Sequence, residues 1–228
     1  MGVTGMIYTF TMVFSLIVLI LSSSTVGYDY FQFTQQYQPA VCNSNPTPCN
    51  DPPDKLFTVH GLWPSNKNGP DPEKCKTTAL NSQKIGNMTA QLEMIWPNVL
   101  NRSDHVGFWE REWIKHGTCG YPTIKDDMHY LKTVIRMYIT QKQNVSAILS
   151  KATIQPNGTD RPLVDIENAI RRGTNNTKPK FKCQKNTRTT TELVEVTLCS
   201  NRDLTKFINC PPGPLQGSRF FCPPSVQY

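Results

Sequence analysis

None of the eight cysteines in this 228-residue chain stands in a C-x-x-C pair. Structural zinc sites favour that spacing, so the sequence argues against a zinc module. One long apolar run is present, Met6 to Leu21, and no second one follows, which argues against a membrane-spanning chain. There is no internal repeat, which excludes a solenoid, and no linker long enough to divide the chain into domains. The first 27 residues also lack Lys and Arg. Even so, the apolar run ends in Ser22-Ser23-Ser24-Thr25-Val26-Gly27, small residues suited to cleavage before Tyr28. Residues 1–27 are therefore expected to be a removed secretory signal, leaving 28–228 as one secreted domain without a membrane segment.

That domain, of about 200 residues, is large enough for a real core. All eight cysteines fall within it: Cys42, Cys49, Cys75, Cys119, Cys183, Cys199, Cys210 and Cys222. An even count behind a signal reads as disulfides, although the spacing does not choose the pairing. N-x-S/T sequons at Asn87, Asn101, Asn144, Asn157 and Asn175 imply surface loops and glycans in a secreted protein. The net charge of +7 lies wholly in residues 28–228. A polyanionic partner is one explanation of it, and ordinary secreted basicity is another.

Taken in order, Tyr28 to Ala40 alternates as an opening strand, and Cys42 and Cys49 enclose a Pro/Asn turn. Leu56 to His60 is β-rich and ends at Gly61 and Pro64. Ser65 to Gln83 is a polar surface loop tethered by Cys75, a natural place for recognition. Ile85 to Met94 is a modest helix, broken by Trp96-Pro97. Lys125 to Gln141 carries Met128, Leu131, Ile135 and Tyr138 at helical spacing, a core stripe. Shorter helices are expected at Asn144–Lys151 and Leu163–Arg172, on either side of the Pro156-Asn157-Gly158 turn. Strands are expected at Lys180–Gln184 and Glu192–Cys199, ahead of a Pro-rich tail. The class is α+β, a disulfide-rich domain with a central antiparallel sheet and several helices.

Two stretches carry chemistry. In Phe108 to Cys119, read as a helix, Glu112, Lys115 and His116 share one face while Trp109 and Trp113 pack on the core. Gly117 is the expected helix stop. A carboxylate, a fixed cation and an imidazole on one rigid element suit attack on a phosphate diester. The same residues also read as a solvated helix face with a terminal His. In Phe57-Thr58-Val59-His60-Gly61-Leu62-Trp63-Pro64, a His at a strand end can point into a cleft, with Trp63 as a face on which a base stacks. The plainer alternative is a core-edge His beside a core Trp. His105 and His129 have no motif support, and His129 reads as a surface or core-edge residue.

FTVHGLWP followed by FWEREWIKHGTC resembles the two active-site segments of the ribonuclease T(2) family, secreted base-nonspecific endoribonucleases of α+β fold. FTQQYQPAVC, LVEVTLCSN and the cysteine count extend the resemblance over nearly all of residues 28–228. Within the family the chain is most similar to the stylar self-incompatibility ribonucleases of the rose-family type. Ser65 to Gln83 lies where that group has its hypervariable region.

The resemblance implies cleavage of single-stranded RNA, without metal or cofactor, through a 2′,3′-cyclic phosphate. His116 would be the general base and His60 the general acid. Lys115 would stabilise the phosphorane, and Glu112 would orient or charge-tune the pair. Trp63 would stack the first base, while Gln36, Asn98, Val99 and Phe108 occupy segments resembling the second base site. A structural reading of Asn98 and Val99 stands beside that one. Arg111 replaces a third His found in many members; it can bind phosphate but cannot titrate, so a lower rate or a shifted pH optimum is expected. Ser65 stands where some relatives carry Asp, which weakens any inference of adenine preference. The implied disulfides are Cys42–Cys49, Cys75–Cys119, Cys183–Cys222 and Cys199–Cys210. The implied partners are RNA and pollen-side recognition proteins, with no DNA, and the chain is expected to be a monomer. A defence or phosphate-scavenging ribonuclease, or a catalytically dead binding scaffold, are the alternatives; the presence of both His60 and His116 argues against the last.

Overall fold

The computed structural model describes residues 27–44, 49–140, 143–186, 190–212 and 222–228. The expected signal segment before Gly27, part of the expected Cys42–Cys49 turn, Gln141 and most of the Pro-rich tail lie outside the described residues.

A mixed sheet forms the frame. It contains β1 (Tyr30–Tyr37), β2 (Phe57–Ser65), β3 (Asp160–Pro162), β4 (Lys180–Lys185), β5 (Thr191–Asn201), β6 (Phe207–Ile208) and β7 (Ser225–Gln227). Long β5 is its axis: β1, β4 and β6 pair with it antiparallel, and β7 pairs with it parallel at Glu192 and Gln227. β2 pairs antiparallel with β1 and forms one end of the sheet. The helices are α1 (Gln38–Ser44), α2 (Thr89–Ile95), α3 (His105–Lys115), α4 (Asp127–Ile135), α5 (Val145–Lys151) and α6 (Leu163–Gly173).

Register divides the sheet into two unlike faces. Phe31, Phe33, Val59 and Leu62 pack with Trp96, Trp109, Trp113, Tyr130 and Leu131 of the helical side. Val194, Val196 and Leu198 join Leu149, Ile166 and Ile170 in a second core. Burying these large apolar side chains contributes roughly 1.5–3 kcal/mol each. Because strand side chains alternate, Gln32, Thr34 and Gln36 of β1 line up on the other face with Cys199, Thr197 and Glu195 of β5.

An end strand leaves backbone groups unpaired. Here three helix-side aromatics cap the outer carbonyls of β2. Tyr138 Oη donates to the Phe57 carbonyl at 2.6 Å, Trp96 Nε1 to that of His60 at 2.9 Å, and Tyr130 Oη to that of Leu62 at 3.1 Å. The strand that carries His60 is thereby fixed along its length.

Several boundaries differ from the sequence expectations. The opening strand ends at Tyr37, and Gln38–Ser44 is helical; Pro39 falls in the first turn, where its missing N–H costs nothing. Thr89–Ile95 is preceded by two 3-10 turns, at Ser82–Lys84 and Gly86–Met88. The amphipathic segment is α-helical over Asp127–Ile135 and widens to a π turn at Arg136–Thr140. Disulfides join Cys42 to Cys49, Cys75 to Cys119, Cys183 to Cys222 and Cys199 to Cys210. Among the described residues no helix is long and apolar enough to cross a membrane.

Candidate active site

An irregularity in β2 places His60. Thr34 pairs with Gly61 and the next residue, Gln35, pairs with Val59, so His60 is the extra residue of a β-bulge. A bulge bends the strand and re-aims the side chain it carries. It also resets the alternation, which lets Val59 and Leu62, three positions apart, both enter the core. His60 Nδ1 lies 2.9 Å from Glu195 Oε1. The buried Glu195 sits on β5 directly opposite Lys182 of β4, whose Nζ approaches the same oxygen at 3.1 Å.

His116 is not on the helix as the sequence reading had it. α3 ends at Lys115, and His116 caps it with φ −121° and ψ −50°, its N–H still donating to the Glu112 carbonyl. Gly117 is not a left-handed stop but the start of a 3-10 turn ending at Cys119. A β-carbon at residue 117 would collide with the Trp113 ring, so close packing is what demands glycine. Trp109 and Trp113 are buried, and Cys119 is bonded to Cys75.

Trp63 contacts both histidines, its ring centroid 5.1 Å from His60 and 5.2 Å from His116. Its Nε1 donates to Glu112 Oε2 at 2.8 Å. Gly61 leaves room for this arrangement, since a β-carbon there would meet both the Trp63 nitrogen and the Glu112 carboxylate.

The electrostatics separate the two imidazoles. Burial, reinforced by Lys115 and His60, pulls His116 down to about 3. Burial also opposes charge on His60, but the hydrogen bond and charge of Glu195, aided by Glu112, outweigh it and raise its pKa, against a smaller push from Lys182. Burial raises Glu112, partly offset by His60, the Trp63 bond and Lys115. Glu195 is lowered despite burial, through its bonds and charge interactions with His60 and Lys182. Near neutral pH one imidazole is therefore set to accept a proton and the other to donate one.

Lys115 reaches Glu73 in the Ser65–Gln83 loop at 3.3 Å, and the Lys74 N–H donates to the Lys115 carbonyl at 2.8 Å. With the Cys75–Cys119 bond, these contacts fasten the loop to the end of α3.

The remaining expected residues take varied positions. Phe108 faces His60 with ring centroids 6.5 Å apart, and Gln36 is buried beside Glu195 in the sheet register. Asn98 is committed to its own loop: Nδ2 donates to the Asp104 carbonyl and Oδ1 accepts from the Asn101 N–H. Val99 is buried. Arg111 is 62% exposed and paired with Asp104 at 3.0 Å. His105, without motif support, accepts from the Asn98 N–H through Nδ1 and stacks on Trp109. His129 accepts from the Lys125 N–H at the start of α4. Of the sequons, Asn87, Asn157 and Asn175 are exposed, Asn144 caps α5, and Asn101 accepts from Asn50 and Ser103. Among the described residues no cluster of three or more His, Cys, Asp or Glu is arranged to hold a metal.

Sequence reasoning missed Glu195 and Glu73. The signal for Glu195 was an acid in the middle of Leu193-Val194-Glu195-Val196, a run otherwise fit for a buried strand. Nothing local marked Glu73.

Comparison with known proteins agrees in family and fold. A model of the Ribonuclease T2 family matches residues 28–210. The chain is 93% identical to Ribonuclease S-1 of Pyrus pyrifolia over the whole of both chains. The crystal structure of Japanese pear S3-RNase superposes with a TM-score of 0.83 at 60% identity, covering 88% of this chain and 100% of that one. RNase NT, solved in complex with 5′-AMP, superposes with a TM-score of 0.76 at 30% identity, covering 89% and 98%.

Proposed function

The chain belongs to the ribonuclease T2 family, and from that premise we propose the division of labour in its cleavage of single-stranded RNA. The enzyme is a metal-independent endoribonuclease of broad base tolerance. His116, neutral, takes the proton of a ribose 2′-hydroxyl as that oxygen attacks the adjacent phosphorus. His60, protonated, gives its proton to the departing 5′-oxygen, leaving a 2′,3′-cyclic phosphate. Lys115 supplies positive charge to the phosphorane oxygens, worth roughly 3–4 kcal/mol for one well-placed donor. Glu112 holds Trp63 and adds to the charge on His60. The base surfaces are Trp63 and the half-buried Phe108 ring, with buried Gln36 and Val99 supporting the second base site from beneath and Arg111 a phosphate contact at the rim. The observation that carries this reading is the pair of imidazoles packed against one indole, with their pKa values shifted in opposite directions.

The same reading makes the protein a secreted, glycosylated monomer released from a signal at residues 1–27. It acts in gametophytic self-incompatibility and meets its pollen-side partners through the Ser65–Gln83 loop.

The decisive test is cleavage of a dinucleotide in EDTA by the purified protein beside His60→Asn and His116→Asn. A cyclic-phosphate product from the parent, reduced roughly 100- to 10,000-fold in each variant, is expected. A folded parent protein that cleaves nothing would overturn the assignment.

A further inference from the structure

We propose that Glu195 is the positioning residue of His60: its carboxylate accepts the Nδ1 proton and so reserves Nε2 as the nitrogen that protonates the leaving oxygen. The inference rests on the assignment of His60 as general acid and adds to it a residue from a third segment of the chain.

The geometry is specific. Nδ1 of His60 and Oε1 of Glu195 are 2.9 Å apart, and Glu195 is only 8% exposed. An ionised carboxylate only accepts, so the proton of that bond sits on Nδ1. Glu195 is kept ionised by the imidazole and by Lys182, which reaches the same oxygen from β4. The two residues come from β2 and β5, with β1 between them. The contact exists because the bulge adds His60 to the strand beside Thr34 and Gly61. A merely structural acid in this sheet would need no imidazole, since Lys182 is its direct cross-strand partner.

In the reaction the 2′-oxygen–phosphorus bond forms and the phosphorus–5′-oxygen bond breaks. The 2′ proton passes to His116, and the Nε2 proton of His60 passes to the 5′-oxygen. The Nδ1 proton stays on His60, still shared with Glu195, which does not itself become protonated. The carboxylate acts by stabilising the imidazolium and fixing the tautomer, as an orienting acid does for any catalytic imidazole.

The test uses two substrates. A dinucleoside monophosphate has an alkoxide leaving group that needs a proton; a nucleoside 3′-(4-nitrophenyl phosphate) releases a stable anion that does not. Glu195→Gln keeps the shape and removes the charge. It is expected to keep the parent near-ultraviolet CD spectrum. It should lose roughly 10- to 10,000-fold in kcat on the dinucleoside, the upper end being the cost of neutralising the acid that orients the histidine of a hydrolytic triad. It should lose little on the nitrophenyl ester, and its alkaline limb should move to lower pH. His60→Asn is the control. If it loses equally on both substrates, His60 is not the acid, and the reading beneath the proposal fails. If it shows the leaving-group dependence and Glu195→Gln does not, the positioning role is overturned while the acid assignment stands. Nitrogen-15 spectra of ring-labelled histidine give an independent readout. Above the alkaline limb His60 should be the Nδ1-protonated tautomer in the parent and a mixture in Glu195→Leu, which, unlike Gln, leaves no acceptor for the Nδ1 proton; the same tautomer populations in both would also overturn the proposal.

Discussion

The indole N–H of Trp63 donates to Glu112 Oε2 across 2.8 Å, joining the end of β2 to the last turn of α3. Gly61 lies beneath that bond, and a β-carbon there would strike both partners. Gly61→Ala is therefore expected to separate His60 from His116 and Lys115 while leaving most of the sheet formed. A misplacement of about 1 Å costs on the order of 100-fold in rate, so kcat/KM should fall by about that factor. Gly86→Ala, with nothing within 4 Å of the new carbon, is the control and should behave as the parent. Full activity in Gly61→Ala would show that the Trp63–Glu112 bond does not organise the site.

The pKa directions fix the shape of the pH–rate profile. Turnover needs His116 neutral and His60 protonated. His116 stays neutral down to about 3, and His60 stays protonated to above its ordinary 6.5. Glu112, raised above 4.5, loses its charge before His116 gains one as the pH falls. kcat/KM should therefore show a plateau with an acid limb set by Glu112 and an alkaline limb above 6.5. Steady-state rates on a dinucleotide across acid and neutral buffers would check this. A rate already falling as the pH rises toward 6.5 would contradict it.

Much of this was legible from the chain. Strand and helix periodicity located β1, β5, α3 and α6 to within a few residues, because their apolar faces decide their packing. β2 does not end at His60 as expected: it runs on through Gly61 and Pro64 to Ser65, because pairing with β1 carries the strand past both residues. The two motif segments were legible as chemistry because they concentrate His60, Trp63, Glu112, Lys115 and His116 in short runs. The bulge at His60 was not, since it depends on how β1 pairs and no local residue announces it. For the same reason Glu195, far along the chain, could not be linked to His60. The end of α3 was misplaced by one residue because the cap geometry of His116 answers to Trp113 and Tyr130 packing around Gly117, a tertiary contact.

The Lys115–Glu73 ion pair sets a third expectation. At 3.3 Å and about half exposed on both sides, it competes with substrate phosphate for the ammonium. Exposed pairs are worth about 0.2–1 kcal/mol, so Glu73→Gln should lower KM by up to about fivefold at low salt and leave kcat unchanged. Near 1 M salt, where charges beyond roughly 3 Å are screened, the variant and the parent should converge. A KM that rises on removing Glu73 would mean that the pair holds Lys115 in its working position rather than drawing it away.

Asn98 offers a clean choice between loop support and base contact. Its side chain donates to the Asp104 carbonyl and accepts from the Asn101 N–H, both at 3.1 Å, while its backbone N–H is held by His105. With these groups engaged inside the loop, Asn98→Ala should act on stability first. Two hydrogen bonds at about 1 kcal/mol each give a loss of roughly 2 kcal/mol. For a domain of this size that is a Tm lower by roughly 4–8 °C. The ranking of dinucleotide substrates should stay as it is, because the groups removed face the loop's own backbone. A normal Tm with a changed ranking would instead place Asn98 on the base, and would mean that the loop opens when RNA binds.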